Sequence, residues 1–176
     1  MKRLLLLTSL LLTPLLLPAQ AMPRLEGKAL SGQELVLPDA GHGHVALILF
    51  GFSKESGKYC KTWGTRFVQD YTKDPKVEAF TVAEMQGIPG FIKGMVVGSI
   101  RRDTPESYRG HFVPLFDGRQ QWQNVVGFQS NAGDDAYLLL LDGTGVIRWR
   151  AHGRFNEALY TQLKQQVAKL ESGQGS

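Results

Sequence analysis

The chain has 176 residues, of which 43% are hydrophobic and 20% are charged. This composition fits one globular domain with enough apolar side chains for a core, and it excludes a disordered chain. The formal net charge is +4, and it falls by two if the N-terminal segment with Lys2 and Arg3 is removed. So small a positive excess gives no electrostatic reason to expect a nucleic-acid partner.

The first 21 residues have the pattern of a secretory signal peptide. Lys2 and Arg3 precede a leucine-rich run over residues 4–17, and the sequence Ala-Gln-Ala ends at Ala21. A positive start, a short apolar run and an A-x-A exit are typical of a segment that is cut, here before Met22. The run is shorter than the about 20 residues of a spanning helix, although an uncleaved anchor is the alternative. We therefore predict secretion into the periplasm, where the protein would work in the aqueous space or beside the inner membrane.

Three further segments follow residues 1–21. They are a lead-in over residues 22–43, a domain over residues 44–171 and a tail over residues 172–176. The lead-in is polar and holds one short alternating stretch, Glu34–Leu37, which predicts a strand.

The first half of the domain predicts a strand, a helix and a second strand. Residues 45–50 form a continuous apolar run rich in β-formers, which is typical of a central strand covered on both faces. Residues 53–57 are turn-formers, and from Lys58 onward aromatic residues recur every four positions along one row of a helix. These aromatic residues are Tyr59, Trp63, Phe67 and Tyr71. After Pro75, residues 77–82 predict the next strand.

A long insertion separates the two halves of the domain. The chain between Met85 and Ala136 is too long for a simple connection, so it must hold structure of its own. Helices are predicted over residues 88–102 and over residues 120–126.

The last third predicts a hairpin and a helix. Residues 137–141 are a buried strand, and a tight turn leads to an antiparallel strand over residues 146–151. Simple alternation places three apolar side chains on one face of this second strand, namely Ile147, Trp149 and Ala151. Asn156 is the predicted N-cap of a final helix. Overall, the order of elements predicts an α/β, thioredoxin-like three-layer sandwich, with a mixed central sheet, helices on both faces and a helical insertion before the last strands.

Cys60 is the only cysteine, so an intramolecular C-x-x-C redox pair is impossible. In the thioredoxin plan the attacking cysteine begins the helix after the first central strand. Counting from Phe50 puts Glu55 near that position and Lys58 near the resolving position. Cys60 falls deeper, beside the aromatic row, which favours a structural role. Lys58 and Lys61 flank it and would favour a thiolate, so a catalytic thiol assisted by these lysines is the alternative.

The enzymatic alternative is a one-cysteine peroxidase or reductase of peroxiredoxin type. The peroxiredoxin pattern has a proline near the turn and a Thr or Ser three residues before the cysteine. This chain has Gly57 at that position, with Ser56 one place away, and no proline between Phe50 and Cys60. The cis-proline that thioredoxins place before a later strand is also missing, because Gly-Asp-Asp-Ala precedes Tyr137.

His42 and His44 are weak candidate metal ligands, with His111, His152 or Met85 as remote partners. Copper-carrying relatives of this fold place two cysteines in the turn, whereas this sequence has one. A periplasmic metallochaperone that uses the two histidines is the third hypothesis. Loop histidines before a strand are mostly solvated, so we expect no metal and no cofactor.

An apolar and basic segment over residues 88–109 predicts a surface that binds a membrane protein client or the membrane itself. The alternative is an ordinary helix packed on the sheet. A second basic patch, formed by Arg148 and Arg150 beside Trp149, could bind an acidic partner, although a solvated edge is the simpler interpretation. The candidate partner-binding residues are Ile88, Phe91, Ile92, Met95, Arg101, Arg102, Arg109, Arg148 and Trp149.

Two blocks of the sequence resemble a known family. Residues 137–163 resemble the end of many thioredoxin-like proteins, and the I-R-W-x-x-x-G core over residues 147–153 is particularly similar to the mitochondrial Atp-ten family. Residues 52–63 and a basic insertion over residues 100–112 extend the similarity. That family lacks a C-x-x-C pair and assists assembly of the ATP synthase membrane sector, as a chaperone for subunit a. The resemblance implies a non-redox assembly factor for a membrane protein complex rather than an enzyme.

Overall fold

The computed structural model describes residues 20–173. Residues 1–19 of the predicted signal peptide and residues 174–176 of the predicted tail lie outside the described part of the chain. The strands are β1 (Gln20–Ala21), β2 (Leu25–Lys28), β3 (Glu34–Leu37), β4 (Val45–Gly51), β5 (Val77–Glu84), β6 (Phe112–Leu115), β7 (Ala136–Leu141) and β8 (Val146–Gly153). The α-helices are α1 (Lys54–Tyr71), α2 (Gly90–Asp103), α3 (Arg119–Val126) and α4 (Glu157–Glu171).

Six strands form the central sheet in the order β1-β8-β7-β4-β5-β6. Strands β4, β5 and β6 are parallel, whereas β7 is antiparallel to β4 and β8 is antiparallel to β7. The predicted central strand is confirmed, because all seven residues of β4 are buried between β7 and β5. The carboxyl ends of β4, β5 and β6 share one edge of the sheet with the start of β7 and the end of β8. We call this edge the carboxyl edge, and ligands of open α/β sheets bind outside such an edge.

Helices cover both faces of the sheet, as predicted. On one face α1 and α4 contribute buried side chains that include Trp63, Phe67, Tyr160 and Leu163. On the other face α3 contributes Trp122, Val125 and Val126. Each fully buried large apolar side chain contributes roughly 1.5–3 kcal/mol, so the two clusters supply most of the drive for folding. The structure confirms the α/β three-layer arrangement with a mixed sheet.

The first helix begins earlier than predicted. Ser53 caps α1, and the stretch that the sequence predicts as a turn forms the first helical turn, Gly57 included. That prediction was wrong because Gly57, which costs about 1 kcal/mol in a helix, is outweighed by the cap and by the burial of the aromatic row.

Both helices predicted in the insertion are confirmed, as α2 and α3, but the insertion also contains a strand that the sequence did not indicate. This strand, β6, pairs in parallel with β5 through Val82↔Val113 and Ala83↔Pro114. It was missed because four residues that include a proline give no periodic signal. No helix within residues 20–173 is both long enough and apolar enough to cross a membrane.

A β-bulge makes one detail of the hairpin prediction wrong. Leu140 pairs with Trp149 and Leu141 pairs with Ile147, so Arg148 has no counterpart in β7. Ile147 therefore packs in the cluster on the α3 face, whereas Trp149 packs against the cluster on the α1 face. Simple alternation fails because a bulge adds one residue to one strand only.

The lead-in is more ordered than one short strand. Its predicted strand is confirmed as β3, which pairs with β2 in a separate hairpin. Met22 and Leu25 are buried in the cluster on the α3 face, and the Leu30 N–H donates to the Phe112 carbonyl at 2.9 Å. At the other end of the chain, the predicted cap of the last helix is confirmed, because Asn156 Oδ1 accepts a hydrogen bond from the Leu159 N–H at 2.9 Å.

Candidate functional site

Two serines occupy the first turn of α1 at the carboxyl edge. Ser53 is the N-cap, and Ser56 follows at the third helical position, which is the spacing of the two cysteines in a C-x-x-C motif. Each hydroxyl accepts a hydrogen bond from the other residue's backbone N–H, at 3.1 Å for the Ser56 N–H and 2.8 Å for the Ser53 N–H. The Ser53 hydroxyl donates to Asp134 Oδ1 at 2.7 Å. A helix N-terminus activates thiols, but here it presents hydroxyl groups that are already fully paired.

Glu55 and Lys58, the positions counted for a redox pair, are the second and fifth residues of α1, whereas the helix start that the count sought is at Ser53. The count was displaced because the turn between β4 and α1 is short, with Ser53 as the N-cap and Lys54 as the first helical residue. The sequence signal for this start is the S-x-x-S spacing, which is a variant of the capping box.

Cys60 lies in the second turn of α1 and points into the core. It is 1% exposed and belongs to the cluster on the α1 face. Burial raises the pKa of the Cys60 thiol to about 12. The sulfur lies close to the end of β4, because a Cβ atom added to Gly51 would sit 3.4 Å from it. This environment holds the thiol in its neutral form.

The two flanking lysines do not activate Cys60. Lys58 Nζ pairs with Glu55 Oε2 at 2.7 Å on the exposed side of α1, and Lys61 is exposed. Neighbouring positions of a helix do not face each other, so lysines that flank the cysteine in sequence are directed away from it. The expectation that they favour a thiolate is wrong for this reason.

A rigid acidic loop precedes β7, where thioredoxins have their cis-proline. The Tyr137 hydroxyl accepts a hydrogen bond from the Gln129 N–H at 3.0 Å and donates to the Ala132 carbonyl at 3.1 Å. Asp135 Oδ2 lies 2.8 Å from His152 Nδ1, and the His152 ring stacks on Tyr137 with centroids 5.3 Å apart. Sequence reasoning missed this cluster, because it joins the segment over residues 129–137 to His152 of β8.

An ion pair between a buried carboxylate and a partly exposed arginine lies at the end of β5. The Glu84 side chain is 0% exposed and accepts hydrogen bonds from Arg119 Nε and, at 2.6 Å, from the Gln86 N–H. Arg119 Nη2 also donates to the Gln86 carbonyl at 2.7 Å. The pair thus ties the loop that leads to α2 to the start of α3. The available signal was a glutamate at the end of a mostly apolar strand.

Helix α2 presents apolar side chains to solvent. Phe91 is 89% exposed and Met95 is 72% exposed, and none of the residues of α2 is buried. Arg101 and Arg102 are exposed at the end of the same helix, whereas Ile88 and Ile92 are partly buried. Such large exposed apolar residues on neighbouring turns of one helix are uncommon unless they serve a contact.

Arg109 has a different place from the other predicted contact residues. Its Nε donates to the Arg101 carbonyl at 3.0 Å and to the Thr104 carbonyl at 3.1 Å, so it caps the C-terminal end of α2. It stabilises the helix and is not part of the exposed surface around Phe91 and Met95.

The second predicted patch lies at the other side of the sheet. Arg148 Nε pairs with Asp142 Oδ2 at 2.6 Å, and Trp149 packs partly on the core. In the sheet, β8 and the insertion's strand β6 are separated by β7, β4 and β5. The structure therefore does not bring Arg148 and Trp149 together with the residues of α2.

The candidate metal ligands are scattered. His42 is exposed and His44 is partly buried, with a buried Nδ1 that has no hydrogen-bond partner in the described part of the chain. His111 stacks on Phe80, and His152 pairs with Asp135. Among residues 20–173, no group of three or more His, Cys, Asp or Glu side chains is placed to hold a metal ion.

No protein-family model matches the chain. No curated protein matches it either. Solved structures do match its fold. A thiol-disulfide oxidoreductase from Bacteroides fragilis is 14% identical, with a TM-score of 0.57 over 84% of this chain and 99% of that one. The exposed lipoprotein thioredoxin of Streptococcus pneumoniae is 17% identical, with a TM-score of 0.54 over 81% of this chain and 98% of that one.

A third match is the thioredoxin domain of a thiol-disulfide oxidoreductase from Bacteroides vulgatus. It is 18% identical, with a TM-score of 0.54 over 86% of this chain and 99% of that one. The protein has the thioredoxin-like fold. This fold is therefore present without a C-x-x-C pair, since Ser53 and Ser56 occupy the first turn of α1 and the sequence has one cysteine.

Three loops of this protein surround the carboxyl edge of its thioredoxin-like fold. The short turn after β4, the acidic loop before β7 and the loop after β5 all meet at the carboxyl edge, and each is fixed by its own hydrogen bonds. What the edge offers a ligand is polar, well-ordered surface. Within residues 20–173, the two most exposed large apolar side chains, Phe91 and Met95, lie instead on α2.

Proposed function

We propose that the protein is a thioredoxin-like binding protein without dithiol chemistry, which acts as an assembly factor or chaperone for a membrane protein complex. The single observation that carries the proposal is the outward-facing pair Phe91 and Met95 on α2. The burial of Cys60 supports the non-redox part, because a thiol with a pKa of about 12 is a poor nucleophile near neutral pH.

The chemistry of α2 favours a client with apolar helices. Phe91 and Met95 lie one turn apart, and methionine adapts its shape to different apolar partners. Arg101 and Arg102 add positive charge near the C-terminal end of the same helix. An apolar stripe with a cationic end suits a membrane-protein segment beside anionic head groups. The client surface is thus defined by Phe91, Met95, Arg101 and Arg102.

The identity of the client is a finer proposal. The I-R-W-x-x-x-G core and the basic insertion resemble the Atp-ten family, which suggests the ATP synthase membrane sector as the complex that is assembled. The N-terminal sequence supports export to the periplasm, and one protein of similar fold is described as an exposed lipoprotein. We therefore place the client in or beside the inner membrane.

Site-specific photo-crosslinking tests this proposal. A benzoylphenylalanine at position 91 should crosslink the full chain, expressed in its native cells, to a membrane protein that mass spectrometry identifies. The matched control is the same probe at Val68, an exposed apolar position on α1. Phe91→Glu with Met95→Glu should abolish co-isolation of that protein without loss of the circular dichroism spectrum. Equal crosslinking from both positions, or none from position 91, would refute the proposal.

A further inference from the structure

Among residues 20–173, few residues pair with the outer edge of β8. Of the eight residues of this strand, only Ile147 and Val146 are paired on that side, with Gln20 and Ala21 of β1. Within residues 20–173, no strand pairs with the outer side of residues 148–153. Such an edge presents free N–H and C=O groups to an incoming strand.

Strand β1 shows how this edge accepts a strand. It pairs antiparallel to β8, and the Met22 N–H extends the pairing with a hydrogen bond to the Gly145 carbonyl at 3.0 Å. Arg150 Nη2 donates to Gln20 Oε1 at 2.6 Å. The side chain of an added strand therefore reaches the Arg150 guanidinium.

Arg150 is a fixed cation without a carboxylate partner. Its Nε donates to the Val125 carbonyl at 3.1 Å, which holds the guanidinium at the side of the strand. In the described part of the chain, no Asp or Glu forms a salt bridge with it. A carboxylate in place of the Gln20 amide would form a charge-assisted hydrogen bond, which is stronger than a neutral one.

We propose that the outer edge of β8 binds an extended acidic segment of a partner protein by strand addition, with a carboxylate of that segment on Arg150. The backbone ladder gives affinity, and the Arg150 contact gives register and charge preference. A second copy of this chain is disfavoured as the occupant, because two paired β8 strands would bring their arginines together. This surface is separate from the client surface on α2.

The predicted removal of residues 1–21 would open the whole edge. It takes away Gln20 and Ala21, and with them the only neighbour of β8 on that side in the described residues. Every member of the two core clusters lies at Met22 or later, so the shortened chain keeps the complete described core. The segment of the partner would then take the place of β1.

Peptide binding provides the test. The probe is a fluorescent nine-residue peptide of alternating Thr, Val and Glu, TVEVTVEVT, measured by anisotropy against the chain that begins at Met22. We expect binding at least tenfold tighter than that of TVKVTVKVT, and weaker binding to the full chain in detergent, where β1 occupies the edge. Arg150→Glu should reverse the preference between the two peptides. Lys73→Glu, an equal charge change at an exposed loop position, should leave it unchanged.

Three results would overturn the proposal. They are no binding by a folded chain from Met22, equal binding of both peptides, and undiminished binding of TVEVTVEVT after N-methylation of alternate amides, which blocks the ladder. A second measurement uses the full chain and does not depend on the shortened form. Gln20→Glu should raise its midpoint temperature of unfolding relative to Gln20→Ala, and Arg150→Gln should remove that gain. A gain that survives Arg150→Gln contradicts the assigned contact.

Discussion

Ser53 and Ser56 each accept a hydrogen bond from the other's backbone N–H at the first turn of α1. This reciprocal pair satisfies two of the N–H groups that a helix leaves free at its start. In an oxidoreductase of the same fold, this turn is where a reactive dithiol would be activated by the helix. Here Ser53 and Ser56 stabilise the start of the helix and carry hydroxyl groups instead of thiols.

Placing cysteines at these two positions should create a redox pair. In a Cys60→Ala background, Ser53→Cys with Ser56→Cys is expected to form a disulfide in a glutathione buffer, because the spacing and the helix N-terminus favour it. The matched control is Lys54→Cys with Gly57→Cys, which has the same spacing one residue later and should oxidise less readily. Quantifying free thiols by mass spectrometry distinguishes the two pairs. Equal oxidation of both would contradict the assignment of Ser53 and Ser56.

Cys60 should react slowly in the folded protein. Its side chain is 1% exposed and its thiol pKa is raised to about 12, so both access and thiolate fraction are low. We expect alkylation by iodoacetamide at pH 8 to be at least about a hundredfold slower than in the unfolded chain. Cys60→Ala with Lys61→Cys moves the thiol to an exposed position and should restore the rate. A fast reaction of Cys60 with hydrogen peroxide would instead favour the one-cysteine peroxidase.

The pKa of Cys60 also predicts how stability depends on pH. The folded pKa of about 12 is above the ordinary value of 9.0, so folding favours the protonated thiol. This contribution is fully present below pH 9 and is lost as the pH rises toward 12, because only the unfolded chain then releases the proton. Between pH 9 and the limit of folding, the free energy of unfolding should fall more for the wild type than for Cys60→Ala. The free energies of unfolding are measured by urea titration at each pH. An equal fall with pH in the wild type and in Cys60→Ala would contradict a buried thiol at position 60.

The ion pair of Glu84 and Arg119 should matter far more than a surface pair. Arg119→Met leaves the buried Glu84 carboxylate without its cation, and we expect a loss of about 2–4 kcal/mol in the free energy of unfolding. Gln120→Met, an exposed position of the same helix, is the control and should change stability by less than about 0.5 kcal/mol. Adding Glu84→Gln to Arg119→Met should recover part of the loss. Urea titrations compare the wild type, Arg119→Met, Gln120→Met and the double variant. Equal losses of stability in Arg119→Met and Gln120→Met would contradict this account.

Much of the fold could be predicted because its strongest signals are local. The apolar run before α1 and the four-residue repeat of Trp63 and Phe67 each fix the type of one element. The site was harder, since His152 meets Asp135 and Tyr137 only after β8 has paired with β7. Cys60 illustrates the same limit, because its sequence neighbours Lys58 and Lys61 do not share its face of the helix. The direction of a side chain and the partner of a buried charge depend on tertiary contacts that no local pattern contains.

The bulge at Arg148 has a consequence for how β8 tolerates changes in length. Deleting one residue from a strand normally moves every later side chain to the opposite face of the sheet. Because Arg148 has no counterpart in β7, the ladder already passes from Ile147 to Trp149 as if they were adjacent. Deletion of Arg148 would therefore keep Ile147 and Trp149 on their present faces of the sheet. Deletion of Arg150 would instead move the residues on one side of the deleted position to the opposite face. Strand β8 can thus be shortened by one residue at position 148 without turning its buried side chains toward solvent.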